Sequence, residues 1–274
     1  MERWAVITGA TGGIGGAFAE RLRAEGFQLL LVGRRDAELH GLKQRYPEAE
    51  TFACELADRA DTLRLCERVR ELGDAVDTVV ANAGTISPGP FAEQPLEEFE
   101  RVVEVSLHGS VRVIHAALPQ MIARGSGTII ANVSLGGIIA LENYTGYSAA
   151  KFGMRGFLWS LWSEVRDKGV DVIGVYPGAI DTPMLREEAR HPHGSALNFM
   201  GTPRKPMDVA DAALKARGTD KLEVYLPYTD SLLSRGLAWT PRWLRRIGPK
   251  LVASGEKGRK RYLQSIDEAD RENA

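Results

Sequence analysis

Short apolar runs that alternate with longer helical segments constrain the fold of this chain more than any other feature. The runs lie at 4–8, 28–32, 51–54, 76–81, 127–134, 170–176 and 222–226, and most are near-continuous Val, Ile and Leu. Such runs are typical of strands that are covered on both faces. Segments with helical periodicity separate them, near 13–25, 36–46, 59–72, 97–123, 146–168 and 206–217. The alternation predicts an α/β fold with a doubly wound parallel sheet of about seven strands and helices on both faces.

The 274 residues contain no internal repeat, low-complexity linker or domain-scale change of composition. We therefore expect one domain over 1–274, with an irregular insert near 183–205 and a distinct tail over 228–274. No segment reaches the roughly 18 apolar residues of a membrane span, and Cys54 and Cys66 lack metal or redox spacing. Reduced thiols predict a cytoplasmic protein, and with a formal net charge of −1 we expect no nucleic-acid partner.

The first predicted strand runs into T-G-A-T-G-G-I-G, residues 8–15, and a helical segment follows directly. Glycines at 9, 13 and 15 allow a tight turn and let backbone amides approach a pyrophosphate at the helix N-terminus. A glycine loop alone is weak evidence, but this one lies between a first strand and a first helix, as a dinucleotide site requires. The alternative is a glycine-rich turn that binds no ligand.

The end of the second strand, L-V-G-R-R-D at 31–36, bears on the choice of cofactor. An NAD-preferring site usually has a carboxylate there for the ribose 2′-hydroxyl, but this chain has Gly33, followed by Arg34 and Arg35. A guanidinium offers a 2′-phosphate a bidentate partner, so the sequence favours NADP(H) over NAD(H). Two alternatives stay open: the arginines are ordinary solvated charges, or Asp36 is an acidic ligand and not the cap of the next helix.

Five motifs occur in order: T-G-A-T-G-G-I-G (8–15), A-N-A-G (81–84), N-V-S (132–134), Y-S-A-A-K (147–151) and Y-P-G-A-I-D-T (176–182). In this order and at these intervals they resemble the short-chain dehydrogenase/reductase family over about residues 3–226. The resemblance implies a Rossmann-type fold and an oxidoreductase that interconverts a carbonyl and an alcohol by hydride transfer. It also implies a homodimer or homotetramer, in which the large apolar residues of the fifth helix are buried.

By this resemblance Tyr147 is the catalytic acid/base, Ser134 hydrogen-bonds the substrate oxygen, and Lys151 orients the nicotinamide ribose. The spacing of Tyr147 and Lys151 puts phenol and ammonium on one helical face, a turn apart. A free tyrosine has a pKa of about 10. We expect the ammonium, together with the positive nicotinamide of the oxidised complex, to lower that pKa.

Two further positions are candidates with open alternatives. Where the family normally has an asparagine on its fourth helix, this chain has Ser106. Its hydroxyl either takes part in an altered proton relay or is plain helix filler. Tyr144 either lines the substrate site from the loop before the helix or merely packs there, so the expected substrate-contacting set is Ser134, Tyr144 and Tyr147.

The resemblance assigns many cofactor contacts and no metal. The residues expected to bind the cofactor are Gly9, Thr11, Gly13, Ile14, Gly15, Arg34, Arg35, Glu55, Leu56, Asn82, Ala83, Gly84, Tyr147, Lys151, Pro177, Gly178, Ile180 and Thr182. Glu55 stands where the family commonly has an aspartate that reaches the adenine. His191 and His193 lie two residues apart, but no cysteine or carboxylate set joins them.

The least family-like segments bear on the substrate. In the family the segment after the sixth strand is a lid, and the Met and apolar content of 183–205 predicts a fairly apolar ketone, aldehyde or alcohol, such as a steroid-like, 3-oxoacyl or retinoid-like compound. The tail is basic and contains Trp239 and Trp243. It either packs on the body, which we favour, or touches a membrane surface.

Three other functions remain open. The first is an NAD(H)-dependent alcohol dehydrogenase of the same family. The second is a catalytically silent nucleotide-sensing or scaffold protein, which only Ser106 supports. The third is a lipid-surface binding protein, which rests on the tail alone.

Overall fold

A computed structural model describes residues 2–228, 236 and 241–272 of the chain; in the last range the described side chains are those of 248–268 and 271. The described residues form one seven-stranded sheet in the order β3-β2-β1-β4-β5-β6-β7. Every neighbouring pair of strands is parallel. The strands are β1 Trp4–Thr8, β2 Gln28–Gly33, β3 Glu50–Ala53, β4 Val76–Ala81, β5 Gly127–Asn132, β6 Val170–Pro177 and β7 Glu223–Leu226.

Helices connect the strands and cover both faces of the sheet. They are α1 Gly13–Ala24, α2 Asp36–Arg45, α3 Arg59–Leu72, α4 Leu96–Val103, α5 Ser110–Arg124, α6 Thr145–Val165, α7 Pro183–Arg190, α8 Pro206–Lys215 and α9 Pro241–Glu272. One core cluster joins the sheet to α3, α5 and α6, through residues such as Leu65, Val113 and Met154. A second joins the other face to α1 and α8, through Phe18 and Val209. The predicted doubly wound α/β fold is confirmed.

The predicted long helix over 97–123 is interrupted. A π-helical turn, Glu104–Gly109, separates α4 from α5 and contains Ser106. The backbone of Gly109 packs closely on Leu56, since a Cβ at Gly109 would lie 3.0 Å from the Leu56 Cβ. Turns of this kind often occur at functional sites, and this one lies where the helix passes the end of β3.

The insert that was expected to be irregular and part of the distinct tail contain helices. The insert forms α7 and a 3₁₀ turn, Ala196–Phe199. Part of the tail forms α9, which packs on that turn: Cβ atoms at Gly255 and Gly258 would overlap the carbonyl oxygens of Ala196 and Phe199.

The prediction for the tail that rests on Trp239 and Trp243 lies outside the described residues, which include neither Trp239 nor the side chain of Trp243. Within the described part of the chain, no helix combines the length and apolar character needed to span a membrane.

Candidate active site

Ser134 and Tyr147 meet just beyond the carboxyl end of β5. Ser134 has a φ of 109°, a backbone conformation that non-glycine residues rarely adopt. Its hydroxyl accepts a hydrogen bond from the Gly136 amide at 3.0 Å and lies close enough to the Tyr147 side chain to influence its ionisation. A Cβ at Gly136 would lie 3.0 Å from the Tyr147 ring, so the absence of a side chain at position 136 lets the ring lie beside Ser134.

Lys151 lies one turn after Tyr147 on α6 and is buried. Its Nζ donates a hydrogen bond to the Asn132 carbonyl oxygen at 2.6 Å and lies 5.6 Å from the centre of the Tyr147 ring. Burial lowers the pKa of Lys151 to about 8. The predicted helical spacing therefore places the ammonium beside the phenol, although its direct hydrogen-bond partner is a backbone carbonyl.

The expected lowering of the tyrosine pKa is wrong for the arrangement described here. Burial raises the pKa of Tyr147 to about 12; the nearby Ser134 side chain opposes this rise, and the negative charge of Glu188 adds to it. Desolvation of the phenolate outweighs the neighbouring cation, because the Lys151 ammonium is itself desolvated and points at the Asn132 carbonyl.

A chain of amide hydrogen bonds connects the lysine to the glycine loop. The side chain of Asn132, whose carbonyl accepts from Lys151, donates to Oδ1 of Asn82 at 3.0 Å. Nδ2 of Asn82 in turn lies 3.2 Å from the carbonyl oxygens of both Thr8 and Gly9. No role was predicted for Asn132, although it begins the N-V-S motif and takes part in this series of hydrogen bonds.

The glycine loop fits a dinucleotide pyrophosphate. Gly9 has a φ of 63°, and a Cβ at Gly15 would overlap the Gly9 carbonyl oxygen, so the loop closes tightly under the N-terminus of α1. No side chain caps the first turn of α1 in the described part of the chain, which leaves its amides directed at an incoming anion. Gly13 instead serves packing, since its Cβ would lie 2.9 Å from the Thr182 methyl group.

A cavity extends from this loop along the edge of the sheet. Its walls come from the glycine loop, the ends of β2, β3 and β4, and α4. The lining residues are Gly9, Thr11, Val32, Gly33, Arg34, Arg35, Glu38, Cys54, Glu55, Leu56, Ala83, Gly84, Thr85, Arg101 and Val105. The cavity therefore collects eight residues that the sequence assigned to the cofactor: Gly9, Thr11, Arg34, Arg35, Glu55, Leu56, Ala83 and Gly84.

Both predicted arginines lie at this cavity, and each faces a carboxylate. Nη1 of Arg34 lies 3.7 Å from Oε2 of Glu55, and Arg35 pairs with Glu38. Both guanidinium groups are more than half exposed, at 57% and 64%, so an anion can compete for them. At Gly33 a Cβ would lie 2.8 Å from the Thr11 methyl group, which disfavours a carboxylate side chain at this strand end.

Asp36 is the first residue of α2, and the cap position belongs to Arg35. An acidic residue in the first turn still interacts favourably with the helix dipole. Asp36 does not line the cavity that contains Arg34 and Glu55.

The end of β6 and the residues after it return to the glycine loop. Thr182 caps α7 by accepting a hydrogen bond from the Leu185 amide at 3.3 Å, and its hydroxyl also lies 3.2 Å from the Ile180 carbonyl oxygen. The contact with Gly13 brings Thr182 to the start of α1, the helix that also carries Ile14. Pro177 ends β6, and the Gly178 amide donates to the Leu226 carbonyl oxygen at 2.8 Å.

Ser106 is buried and lies on the lysine side of the site. Its Oγ accepts a hydrogen bond from the Thr85 amide at 3.1 Å. A Cβ at Gly84 would lie 3.6 Å from both the Ser106 Oγ and the Lys151 Nζ. The position is thus close to the lysine, while participation of Ser106 in a relay stays a prediction.

Tyr144 is the residue that precedes α6 and is buried. Its hydroxyl donates to the Glu188 carboxylate and accepts from the Ser195 amide at 2.9 Å. Its ring centre lies 6.4 Å from that of Tyr147, in an edge-to-face arrangement. Tyr144 therefore adjoins Tyr147, the predicted acid/base, and its hydroxyl is hydrogen-bonded to residues of the insert.

The described residues contain no cluster of three or more His, Cys, Asp or Glu side chains placed to hold a metal ion. The rings of His191 and His193 lie 5.9 Å apart, in the loop after α7.

The fold and site together define a dinucleotide-binding oxidoreductase, and comparison with known proteins identifies the family. The family model described as short chain dehydrogenase matches residues 3–193. An uncharacterised oxidoreductase of Staphylococcus saprophyticus is 30% identical over 223 residues, which cover 79% of this chain and 91% of that protein. The chain belongs to the short-chain dehydrogenase family, whose members use a nicotinamide dinucleotide.

Other relatives agree with this assignment. A glucose 1-dehydrogenase of Gluconobacter oxydans is 32% identical over 218 residues, covering 76% of this chain and 82% of the relative. The crystal structure of a short-chain dehydrogenase from Streptomyces avermitilis has 28% identity and a TM-score of 0.77, and the match covers 91% of this chain and 97% of that one.

Proposed function

We propose that this protein is an NADP(H)-dependent oxidoreductase that interconverts a carbonyl and an alcohol. The observation that carries the proposal is the convergence of Ser134, Tyr147 and Lys151 at the carboxyl end of β5. The same edge of the sheet carries the cavity that is lined by the glycine loop and by eight of the residues expected to bind the cofactor. Loss of catalysis is a poor explanation of this geometry, because a silent nucleotide sensor has no need of a buried lysine beside a tyrosine.

Each side chain has a task in that reaction. The nicotinamide, when bound, supplies or accepts the hydride. The Ser134 hydroxyl stabilises negative charge that develops on the substrate oxygen. Tyr147 donates a proton to that oxygen in reduction and removes it in oxidation. Lys151, held by Asn132, orients the ribose and stabilises the tyrosinate.

The preference for NADP(H) rests on Arg34 and Arg35. Both are exposed at the cavity, and their present partners Glu55 and Glu38 leave them within reach of a 2′-phosphate. Arginine offers such a phosphate two parallel hydrogen bonds. The alternative within the family is an NAD(H)-dependent enzyme, in which these carboxylates serve the ribose hydroxyls.

The substrate is proposed to be a fairly apolar ketone, aldehyde or alcohol. Two methionines of the insert, Met184 and Met200, are 38% and 41% exposed. Flexible, exposed methionines suit apolar ligands of irregular shape.

The decisive experiment is consumption of NADPH with a panel of apolar ketones, by wild type and by Tyr147→Phe. The variant loses only the phenolic hydroxyl, so we expect turnover to fall by about 1,000-fold or more while NADPH binding, measured by fluorescence, changes less than about threefold. Tyr46→Phe is the matched control, because it removes a buried phenolic hydroxyl at the end of α2, outside the cavity, and leaves the proton donor in place. Undiminished turnover by Tyr147→Phe would rule out the proposed chemistry.

The cofactor preference is tested by the ratio of Kd values for NADH and NADPH. Arg34→Ala should weaken NADPH about tenfold or more and leave NADH nearly unchanged, because only NADPH carries the 2′-phosphate. Arg45→Ala is the control, because Arg45 is an exposed arginine of α2 that pairs with Glu20 and does not line the cavity. An unchanged ratio in Arg34→Ala would contradict the role assigned to this arginine.

A further inference from the structure

A buried carboxyl group without a task in the proposed chemistry lies close to the catalytic tyrosine. Glu188 is on α7 and is 6% exposed. Its Oε1 accepts hydrogen bonds from the Tyr144 hydroxyl and from Nδ2 of Asn198, the latter at 2.6 Å. These donors and the charge of Arg259 offset only part of the effect of burial, so the pKa of Glu188 stays above its ordinary value. Burial of such a group disfavours its charged form, and this calls for a compensating role.

Tyr144 connects Glu188 to the catalytic helix. It is 2% exposed, and its hydroxyl is held from two sides, by Glu188 and by the Ser195 amide. It directly precedes α6, whose first turn carries Tyr147, and the two aromatic rings are in edge-to-face contact. A shift of Glu188 therefore moves the ring against which Tyr147 packs.

The other side of α7 is fixed by the C-terminal helix. Arg259 of α9 donates to the carbonyl oxygen of Ala189 through Nε and to that of His191 through Nη2, each at 2.7 Å. Tyr262 of α9 packs on Phe199, at 5.4 Å between ring centres. Glu188 is thus held between a docked helix and the start of α6.

We propose that Glu188 is a positioning residue of the active site, which fixes Tyr144 against Tyr147 and whose charge sets how readily the Tyr147 proton is exchanged. This inference rests on the proposed function, in which Tyr147 is the acid/base. The groups that act on Tyr147 are Ser134, Tyr144, Lys151 and Glu188, and those that act on Glu188 are Tyr144, Asn198, the Ser195 amide and Arg259. Of these, the Glu188 carboxylate opposes ionisation of Tyr147.

Two substitutions distinguish the effect of the Glu188 hydrogen bonds, which hold Tyr144 in place, from the effect of the Glu188 charge. Glu188→Gln keeps an oxygen that accepts from Tyr144 and Asn198 but removes the charge, whereas Glu188→Ala removes both. Glu187→Gln is the matched control, because it makes the same change at the exposed neighbouring residue of α7.

The main readout is the pH profile of kcat/KM with whichever ketone the wild type reduces. Without the nearby negative charge Tyr147 ionises more easily, so the profile of Glu188→Gln should move to lower pH by about half a unit or more, with KM near the wild-type value. Glu188→Ala should also raise KM about tenfold, while Glu187→Gln should match the wild type. A Glu188→Gln profile identical to that of the wild type would overturn the electrostatic role.

A second readout needs no substrate. In trypsin digestion of the free protein, cleavage after the exposed Arg186 and Arg190 reports release of α7. Glu188→Ala should be cut there about tenfold faster than the wild type, and Glu188→Gln and Glu187→Gln should not. Equal cleavage of Glu188→Ala and wild type would overturn the positioning role. If no ketone supports turnover, the proposed function fails, and the digestion alone decides whether Glu188 holds α7 in place.

Discussion

At the scale of single residues, the site is built around a lysine that the protein buries at a cost in stability. Lys151 is 3% exposed, and its pKa falls to about 8. Its hydrogen bond to the Asn132 carbonyl oxygen recovers part of the lost hydration. Function therefore explains its burial better than stability does, as is common for active sites.

Lys151→Met should therefore stabilise the protein while it abolishes turnover. The folded-state pKa of about 8 lies below the unfolded value of about 10.4. The full penalty of the buried ammonium is present below pH 8 and disappears as the pH rises towards 10.4, because the folded state there binds fewer protons. The difference between these two pKa values corresponds to about 3 kcal/mol of destabilisation. Removing the lysine also removes its hydrogen bond, so the expected gain in the free energy of unfolding is lower by about 1 kcal/mol.

Urea unfolding of wild type and Lys151→Met checks this prediction. At pH 7 the free energy of unfolding of the variant should exceed that of the wild type by about 2 kcal/mol, and this excess should shrink by pH 10. A variant that is less stable than the wild type at pH 7 would show that the ammonium contributes net stability.

Residues next to strand ends could be placed from the sequence, and those joined by helix docking could not. Ser134 and Lys151 follow from motif and helical spacing, because parallel strands bring their carboxyl ends to one edge. Glu188 lies 44 residues from Tyr144 in sequence, and no periodicity links the two. The raised pKa of Tyr147 escaped prediction for a related reason, since desolvation depends on packing that spacing does not reveal.

At the scale of elements, the C-terminal helix is the feature least visible in the sequence. α9 contains Pro249 and several glycines, which argue against a helix when propensity is considered alone. Two of these glycines, Gly255 and Gly258, lie where the helix contacts the Ala196–Phe199 turn. Tertiary packing has overridden propensity here, and the glycines that weaken the helix are the ones that let it dock.

Alanine substitutions at Gly258 and at Gly248 of the same helix should therefore change the free energy of unfolding in opposite directions. A Cβ at Gly258 would overlap the Phe199 carbonyl oxygen, so Gly258→Ala should lower the free energy of unfolding by about 1–3 kcal/mol. At Gly248 no atom lies within 4 Å of the added Cβ in the described structure, and Gly248→Ala should raise it by about 0.5–1 kcal/mol. Thermal unfolding of both variants measures the contrast, and shifts of the same sign would contradict the docking of α9.

At the scale of the whole molecule, the order of the strands places the candidate site residues. The order reverses between β1 and β4, and open parallel sheets bind their ligands at such a point. The glycine loop follows β1, and Asn82 follows β4. The alternation of apolar runs was enough to predict the layers, because both faces of these strands are buried.

The homo-oligomer expected from the resemblance is tested on the outer face of α6. Phe152 and Trp159 lie seven residues apart on this helix and are 43% and 51% exposed, which is unusual for large apolar side chains. If a second copy covers them, Phe152→Glu buries a charge in the interface and should convert the oligomer to monomer. Leu63→Glu on α3, at a residue 41% exposed, is the matched control and should leave the assembly intact. Sedimentation equilibrium at micromolar concentration measures the mass; a monomeric wild type, or equal dissociation by both variants, would show that this face of α6 is not the interface.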